Sequence, residues 1–204
     1  MVDTDSEVRA QAAKLAGDHH DTSHYATLIK LLSDEEPRVR FFAAQSLGKL
    51  DNPEAAPALL ELLRRNADSD PAIRHAASYA LSRLHNRAAL ALAESDESPA
   101  VRLDVILAYR LLQDAQISSF LLDRDPYLVR EAALAINDAP INDALPALAA
   151  LRGSGRHSPA TPAHKRPPSP RSTARRRRSR RLCRESRRFL RLAGGSAPPV
   201  VDLG

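Results

Sequence analysis

From about residue 5 to residue 151, apolar residues recur every three or four positions, the period of an amphipathic helix. The pattern comes in five versions of one phrase. Its fullest form is "EEPRVRFFAAQSLGKL", residues 35–50, and partial copies begin at "DSEVRAQAAKLAG", "SDPAIRHAASYAL", "ESPAVRLDVILAY" and "RDPYLVREAALAI". Aligned on Arg9, Arg40, Arg74, Arg102 and Arg130, the copies stand 31, 34, 28 and 28 residues apart, a spacing that signals stacked helical repeats. Each arginine follows a β-branched residue: Val8, Val39, Ile73, Val101 or Val129. Small pairs come next, Ala12-Ala13, Ala43-Ala44, Ala76-Ala77 and Ala132-Ala133, with Val105-Ile106 in the fourth copy. Larger residues return a turn later, as Leu15, Leu47 and Leu81 show. A stripe with so narrow a waist lets two helices approach closely, so Ala43, Ala44, Ala76, Ala77, Ala132 and Ala133 are expected at tight helix contacts.

The helix starts are equally regular. Asp70-Pro71, Ser98-Pro99 and Asp125-Pro126 each place a side-chain acceptor at the N-cap and proline at the first helical position, where its missing N–H costs nothing. Other helices are predicted to alternate with the arginine-bearing ones, over roughly residues 22–33, 53–66, 87–94, 114–122 and 141–151. Each unit is thus a helical hairpin whose apolar face demands a neighbour.

The phrase D-P-x-V-R-x-x-A-A-x-x-L resembles HEAT repeats, in particular the short bacterial kind also called PBS-lyase HEAT-like repeats. The resemblance covers about residues 3–151. It implies an all-α fold, an α-solenoid of about five short hairpins, with a concave surface lined by the second helices as its contact face. It also implies a non-enzymatic scaffold for protein–protein interaction or domain spacing, partnered by another protein or by flanking domains of a longer chain. A narrower stretch, "DRDPYLVREAALAINDAPINDALPALAAL", is similar to HEAT segments of large bacterial proteins. Those join a sugar-dehydrogenase-like β-propeller to a haem-binding cytochrome c domain, and attach haem through Cys-x-x-Cys-His. Here Cys183 is followed by Arg184, so no haem residue carries over. The helix near 5–17 lacks a preceding partner and "NDALPALAAL" lacks a following one, so residues 1–151 are expected to be an array incomplete at both ends, a fragment of such a parent at most.

Charge changes the picture past residue 151. Residues 152–204 hold 14 Arg and 1 Lys against Glu185 and Asp202, a net of +13; residues 1–151 hold 15 Lys+Arg against 23 Asp+Glu, a net of −8. The tail is Arg/Pro-rich, of low complexity, and expected to be disordered. Its "RSTARRRRSRRLCRESRR" has two incompatible readings. Such a composition, beginning abruptly inside a repeat, is what GC-rich DNA yields when translated out of frame. Alternatively, a basic arm would neutralise phosphates and bind nucleic acid without sequence preference.

Candidate chemistry adds little. The five repeat arginines are expected to be structural, each in the first turn of its helix and bonded to an acidic or carbonyl group across a repeat seam, with Asp5, Glu36, Asp70 and Asp125 nearby. In "HHDTSH", His20 and His24 stand four apart, a metal-ligand spacing on a continuous helix. Asp21, Thr22 and Ser23 between them read instead as a turn and an N-cap, so a solvated loop with His19 is expected. The acidic groups "SDEEP" and "ESDESP" directly precede helices, where negative charge favours the positive end of the helix dipole. They lack the alternation and glycine of a calcium loop. No catalytic, cofactor-binding or metal residue is expected, and no cofactor. The single cysteine excludes an intrachain disulfide, no stretch is apolar for long enough to span a membrane, and "MVDTDSEVRAQ" lacks a signal-peptide pattern. The chain as written reads as cytoplasmic, and as periplasmic if it belongs to the dehydrogenase-type parent.

Overall fold

The computed structural model describes residues 3–153. The expectations for the basic tail, as a disordered arm or an out-of-frame product, lie outside the described residues apart from Arg152 and Gly153, which continue a helix. Among the described residues there is no strand. The helices are α1 (Ser6–Asp18), α2 (Tyr25–Leu31), α3 (Pro37–Leu50), α4 (Ala56–Asn66), α5 (Pro71–Arg83), α6 (Arg87–Ala93), α7 (Pro99–Leu112), α8 (Pro126–Asp138) and α9 (Leu145–Gly153). Between α7 and α8 the chain forms a 3-10 helix, Ala115–Leu122. α2, α4, α6 and this 3-10 segment are first helices, and α3, α5, α7 and α8 are the second helices that answer them. With α1 before them and α9 after, they form a helical repeat array.

The second helices lie side by side in chain order, α1 on α3, α3 on α5, α5 on α7 and α7 on α8. The small residues make this possible. Ala13, Ala43, Ala44, Ala77 and Ala132 have no exposed surface. At Gly17 an added Cβ would come within 2.3 Å of Ser46 Oγ, and at Gly48 within 2.7 Å of the Ala80 backbone. The two glycines of the body therefore stand where helix backbones meet, and they do not serve as helix caps. Ser46 meets the same constraint by donating its hydroxyl to the Ala13 carbonyl at 2.8 Å. Behind this layer the first helices bury Leu28, Leu59, Leu62, Leu63, Leu90 and Phe120, each contributing about 1.5–3 kcal/mol of transfer energy.

Each helix starts as its sequence dictates. Asp70 accepts from the amides of Ala72 and Ile73 (2.8 and 3.3 Å), and Asp125 from Tyr127 (2.9 Å), both ahead of a proline. The fourth first helix departs from expectation by being 3-10 throughout. Its sequence, AQISSFLL, places a β-branched residue and two serines mid-segment, where they weaken an α-helix.

The last second helix holds a register shift. Arg9, Arg40, Arg74 and Arg102 occupy the fourth residue of their helices, but Arg130 is the fifth of α8. One extra residue in "DPYLVR" rotates it about 100° around the axis. Leu128, 1% exposed, therefore takes the core position held elsewhere by Val39, Ile73 and Val101, and Val129 does not.

Candidate functional site

Counting back three residues from the starts of α1, α3, α5, α7 and α8 finds an aspartate every time: Asp3, Asp34, Asp68, Asp96 and Asp123. These five and the repeat arginines form a ladder along the seams. Arg9 donates Nε and Nη2 to the two carboxylate oxygens of Asp34 at 2.8 and 2.9 Å, and Nη1 to the carbonyls of Asp3 and Thr4. Arg102, on α7, repeats the arrangement further along the array. Its Nε and Nη2 meet Asp123 at 2.9 and 3.2 Å, and its Nη1 meets the carbonyls of Asp96 and Glu97. One guanidinium thus ties its own helix start to the start of the next helix in the row. The Arg9 fork holds the Asp34 carboxyl below the usual carboxylate range, against a burial that pushes it up.

The middle rungs are rerouted. The loop after α4 carries two successive left-handed residues, Ala67 (φ 45°) and Asp68 (φ 61°). Asp68 is turned onto Arg74 of its own repeat. Asp96 is instead bridged by Arg64 of α4 at 2.5 Å. Burial pushes the Asp96 carboxyl up, but the Ser98 amide and Arg64 outweigh it and leave it lowered. Arg40 keeps its carbonyl anchors, Asp34 and Glu35 at 2.7 Å each, without a carboxylate. Arg130, rotated by the register shift, pairs with Glu131 in its own helix at 2.8 Å and lies over the Tyr127 ring.

The acids Asp5, Glu36, Asp70 and Asp125 are not the arginines' side-chain partners. Asp5, Asp70 and Asp125 are occupied as N-cap acceptors, and Glu36 makes no side-chain cap bond. Two further polar contacts escaped the sequence. Tyr109, 1% exposed, donates to Glu94 at 2.7 Å, and burial with that partner pushes its phenol far up. Asp104 is buried between α5 and α7 against Ser78 Oγ at 2.5 Å.

The three histidines go separate ways. His19 caps α1, the His20 Nδ1 lies 2.9 Å from the Lys49 carbonyl, and the His24 ring faces Asp21 at 3.5 Å. Asp21 caps a 3-10 turn, Thr22–His24, so His20 and His24 do not share a helix face. Among the described residues no three His, Cys, Asp or Glu side chains are placed to hold a metal ion. Among the same residues no helix is long and apolar enough to cross a membrane.

The outward face of the second helices is the other feature with a functional look. Phe41 and Phe42 meet edge-on at 5.1 Å between ring centres, and Arg38 lies 5.3 Å over Phe42. His75 stacks on Tyr79 at 6.5 Å, and Arg130 covers Tyr127. Tyr79 is 43% exposed and Tyr127 47%. Between α3 and α5 opens a groove of about 320 Å³ walled by Arg38, Phe41, Phe42 and Ile73. A second of about 300 Å³ opens at Leu103, Tyr127 and Leu128.

Residues 1–82 match the family model for HEAT repeats. These residues carry HEAT repeats. An aspartate three residues before the helix and a proline at its start recur at α7 and α8. Among solved structures the chain is similar to one described as the complex of CpcE and CpcF of phycocyanin lyase from Nostoc sp. PCC7120. Identity there is 24% over 68% of this chain and 61% of that chain, with a TM-score of 0.44. It is also similar to an engineered protein, at 16% identity over 74% of this chain and 94% of that one, with a TM-score of 0.42. No curated protein matches the chain.

Proposed function

We propose that this HEAT-like array is a scaffold that catalyses no reaction and binds another protein along the outward face of its second helices. The observation that carries this reading is the run of aromatic groups on that face. On three second helices, α3, α5 and α8, an aromatic side chain stands beside a cation or an imidazole: Arg38–Phe42, His75–Tyr79 and Arg130–Tyr127. Aromatic and arginine side chains are the groups that dominate protein interfaces, and grooves walled by them give a partner somewhere to seat an anchor. The tight alanine and glycine seams fix the helices before a partner arrives, so little ordering cost falls on association. The arginines Arg9, Arg74 and Arg102 serve the array itself, because each already has a carboxylate partner.

Affinity capture with the intact chain tests the reading. A partner retained by the wild type should be lost with the double variant Phe42→Asp, Tyr79→Asp. It should survive Leu92→Asp, which alters a residue 80% exposed on first helix α6. An identical set of captured proteins with all three chains would refute the assignment of the face.

A further inference from the structure

We propose that the seam around Arg40 is a receptor for one carboxylate side chain of an acidic segment in the protein partner. The proposal rests on the reading of the chain as a protein-binding scaffold and names the chemistry that one part of it recognises.

The array itself shows what an arginine at this position holds. Arg9 and Arg102 anchor Nη1 on two carbonyls behind them and offer Nε and Nη2 to an aspartate, both nitrogens bonding at once. Arg40 is anchored identically, with Nη1 on the carbonyls of Asp34 and Glu35. Yet among the described residues its Nε and Nη2 have no hydrogen-bond partner. The aspartate at the matching register is Asp68, and the left-handed pair Ala67–Asp68 has carried it away to Arg74. The rung is built on one side only.

What remains at the seam is a cavity of about 270 Å³, against about 30 Å³ for a water molecule in the liquid. Arg40, Arg65, Ser33, Asn66, Ser69 and Asp34 line it. The Asp34 carboxylate lies in the Arg9 fork, so its charge is already answered. Arg65 reaches neutral acceptors here, Ser33 Oγ at 3.1 Å and the Leu32 carbonyl at 3.3 Å, and keeps its Nε 3.8 Å from Glu61. Ser69 Oγ donates to the Asn66 carbonyl at 2.6 Å, so two guanidiniums and the Ser33 hydroxyl face a space from which the expected anion has been withdrawn. A planar carboxylate matches the fork with two parallel bonds, as it does at the sister seams. A phosphate would bring a second charge into a body of net −8 with no third cation to meet it.

The test uses the full chain, ¹⁵N-labelled, with the arginine Nε–H signals followed by NMR at fixed ionic strength. The probes are acetyl-Gly-Glu-Gly-amide, its glutamine counterpart and inorganic phosphate. The glutamate peptide should move the Arg40 signal and the glutamine peptide should not. Arg40→Gln should weaken binding at least tenfold. Because Arg40→Gln also removes two carbonyl anchors, a second variant, Ser33→Asp, supplies an internal carboxylate at an exposed position. It should keep the helical circular dichroism and lose the peptide to the same degree. Equal shifts from both peptides, unchanged binding in Ser33→Asp, or tighter binding of phosphate would each overturn the proposal. If the glutamate peptide leaves Arg40 unmoved while Phe42→Asp, Tyr79→Asp still releases a captured partner, this pocket is wrong and the second-helix face stands.

Discussion

Arg102 grips Asp123 with two nitrogens, and the pair is almost sealed from solvent, the arginine side chain 3% exposed and the aspartate 6%. The same motif at Arg9–Asp34 is wetter, at 17% and 10%. Arg130, the fifth member of the series, pairs only with its neighbour Glu131 and is 65% exposed. One sequence signature thus covers three energetic situations, and burial separates them.

Removing one partner of a sealed pair strands a charge where water cannot reach it. Asp123→Ala is expected to lower stability by about 3–5 kcal/mol, measured by urea unfolding at pH 7. Arg130→Ala should change it by about 1 kcal/mol or less, since exposed pairs contribute little. Equal losses in the two variants would mean that the ladder does not depend on burial.

The repeat seams make a second prediction. Ala77 has no exposed surface and sits in the α3–α5–α7 row. Leucine propagates a helix nearly as well as alanine, so Ala77→Leu leaves propensity almost unchanged and isolates packing. Overpacking should cost about 1–3 kcal/mol. A variant as stable as wild type would show the seam to be loose.

Much of this architecture was legible because the repeat writes one instruction several times. The apolar period, the Asp-Pro and Ser-Pro starts and the alanine waist mark the hairpins in the sequence itself. The ladder's acceptors are equally present, as an aspartate three residues before each helix that carries a repeat arginine. Acids closer to the arginines, such as Asp70 and Asp125, mask them in the sequence and are occupied by capping. Alignment on arginine hides the shift in α8; alignment on proline shows it to carry one extra residue before Arg130. Nothing local to the sequence could reveal the rerouting of Asp68, which depends on two backbone angles, or the meeting of Ser78 with Asp104 across 26 positions.

The histidine segment yields a third prediction. His20 and His24 are turned to different partners, so they offer a metal no shared face. Dialysis against equimolar zinc followed by gel filtration should leave the chain with well under one ion, unchanged in His24→Ala. A stoichiometric ion lost in that variant would require the turn at Asp21 to rearrange.

The last prediction concerns Asp104, 1% exposed in the seam between α5 and α7. Burial pushes its carboxyl from an ordinary value of 3.8 up to about 7, although the Ser78 hydrogen bond and the Arg74 charge pull the other way. The geometry favours a proton there. Ser78 Oγ lies 2.9 Å from the Arg74 carbonyl and 2.5 Å from Asp104 Oδ1, and a hydroxyl has one hydrogen to give. If Ser78 donates to the carbonyl, the short contact to Asp104 needs a proton from the carboxyl. A carboxyl whose folded value lies above its unfolded one binds more protons in the native state than in the unfolded chain across the interval between them. Stability must therefore fall as pH rises from about 4 to about 7, by on the order of 2–4 kcal/mol at 1.36 kcal/mol per unit. The depressed carboxyls of Asp34 and Asp96 work in the opposite direction but below that interval, where they lose stabilisation as pH drops. Asp104→Asn keeps the shape of the group and cannot ionise, so its urea midpoint should be flat over pH 4–7 where the wild type declines. A decline of the same size in Asp104→Asn would locate the titration elsewhere.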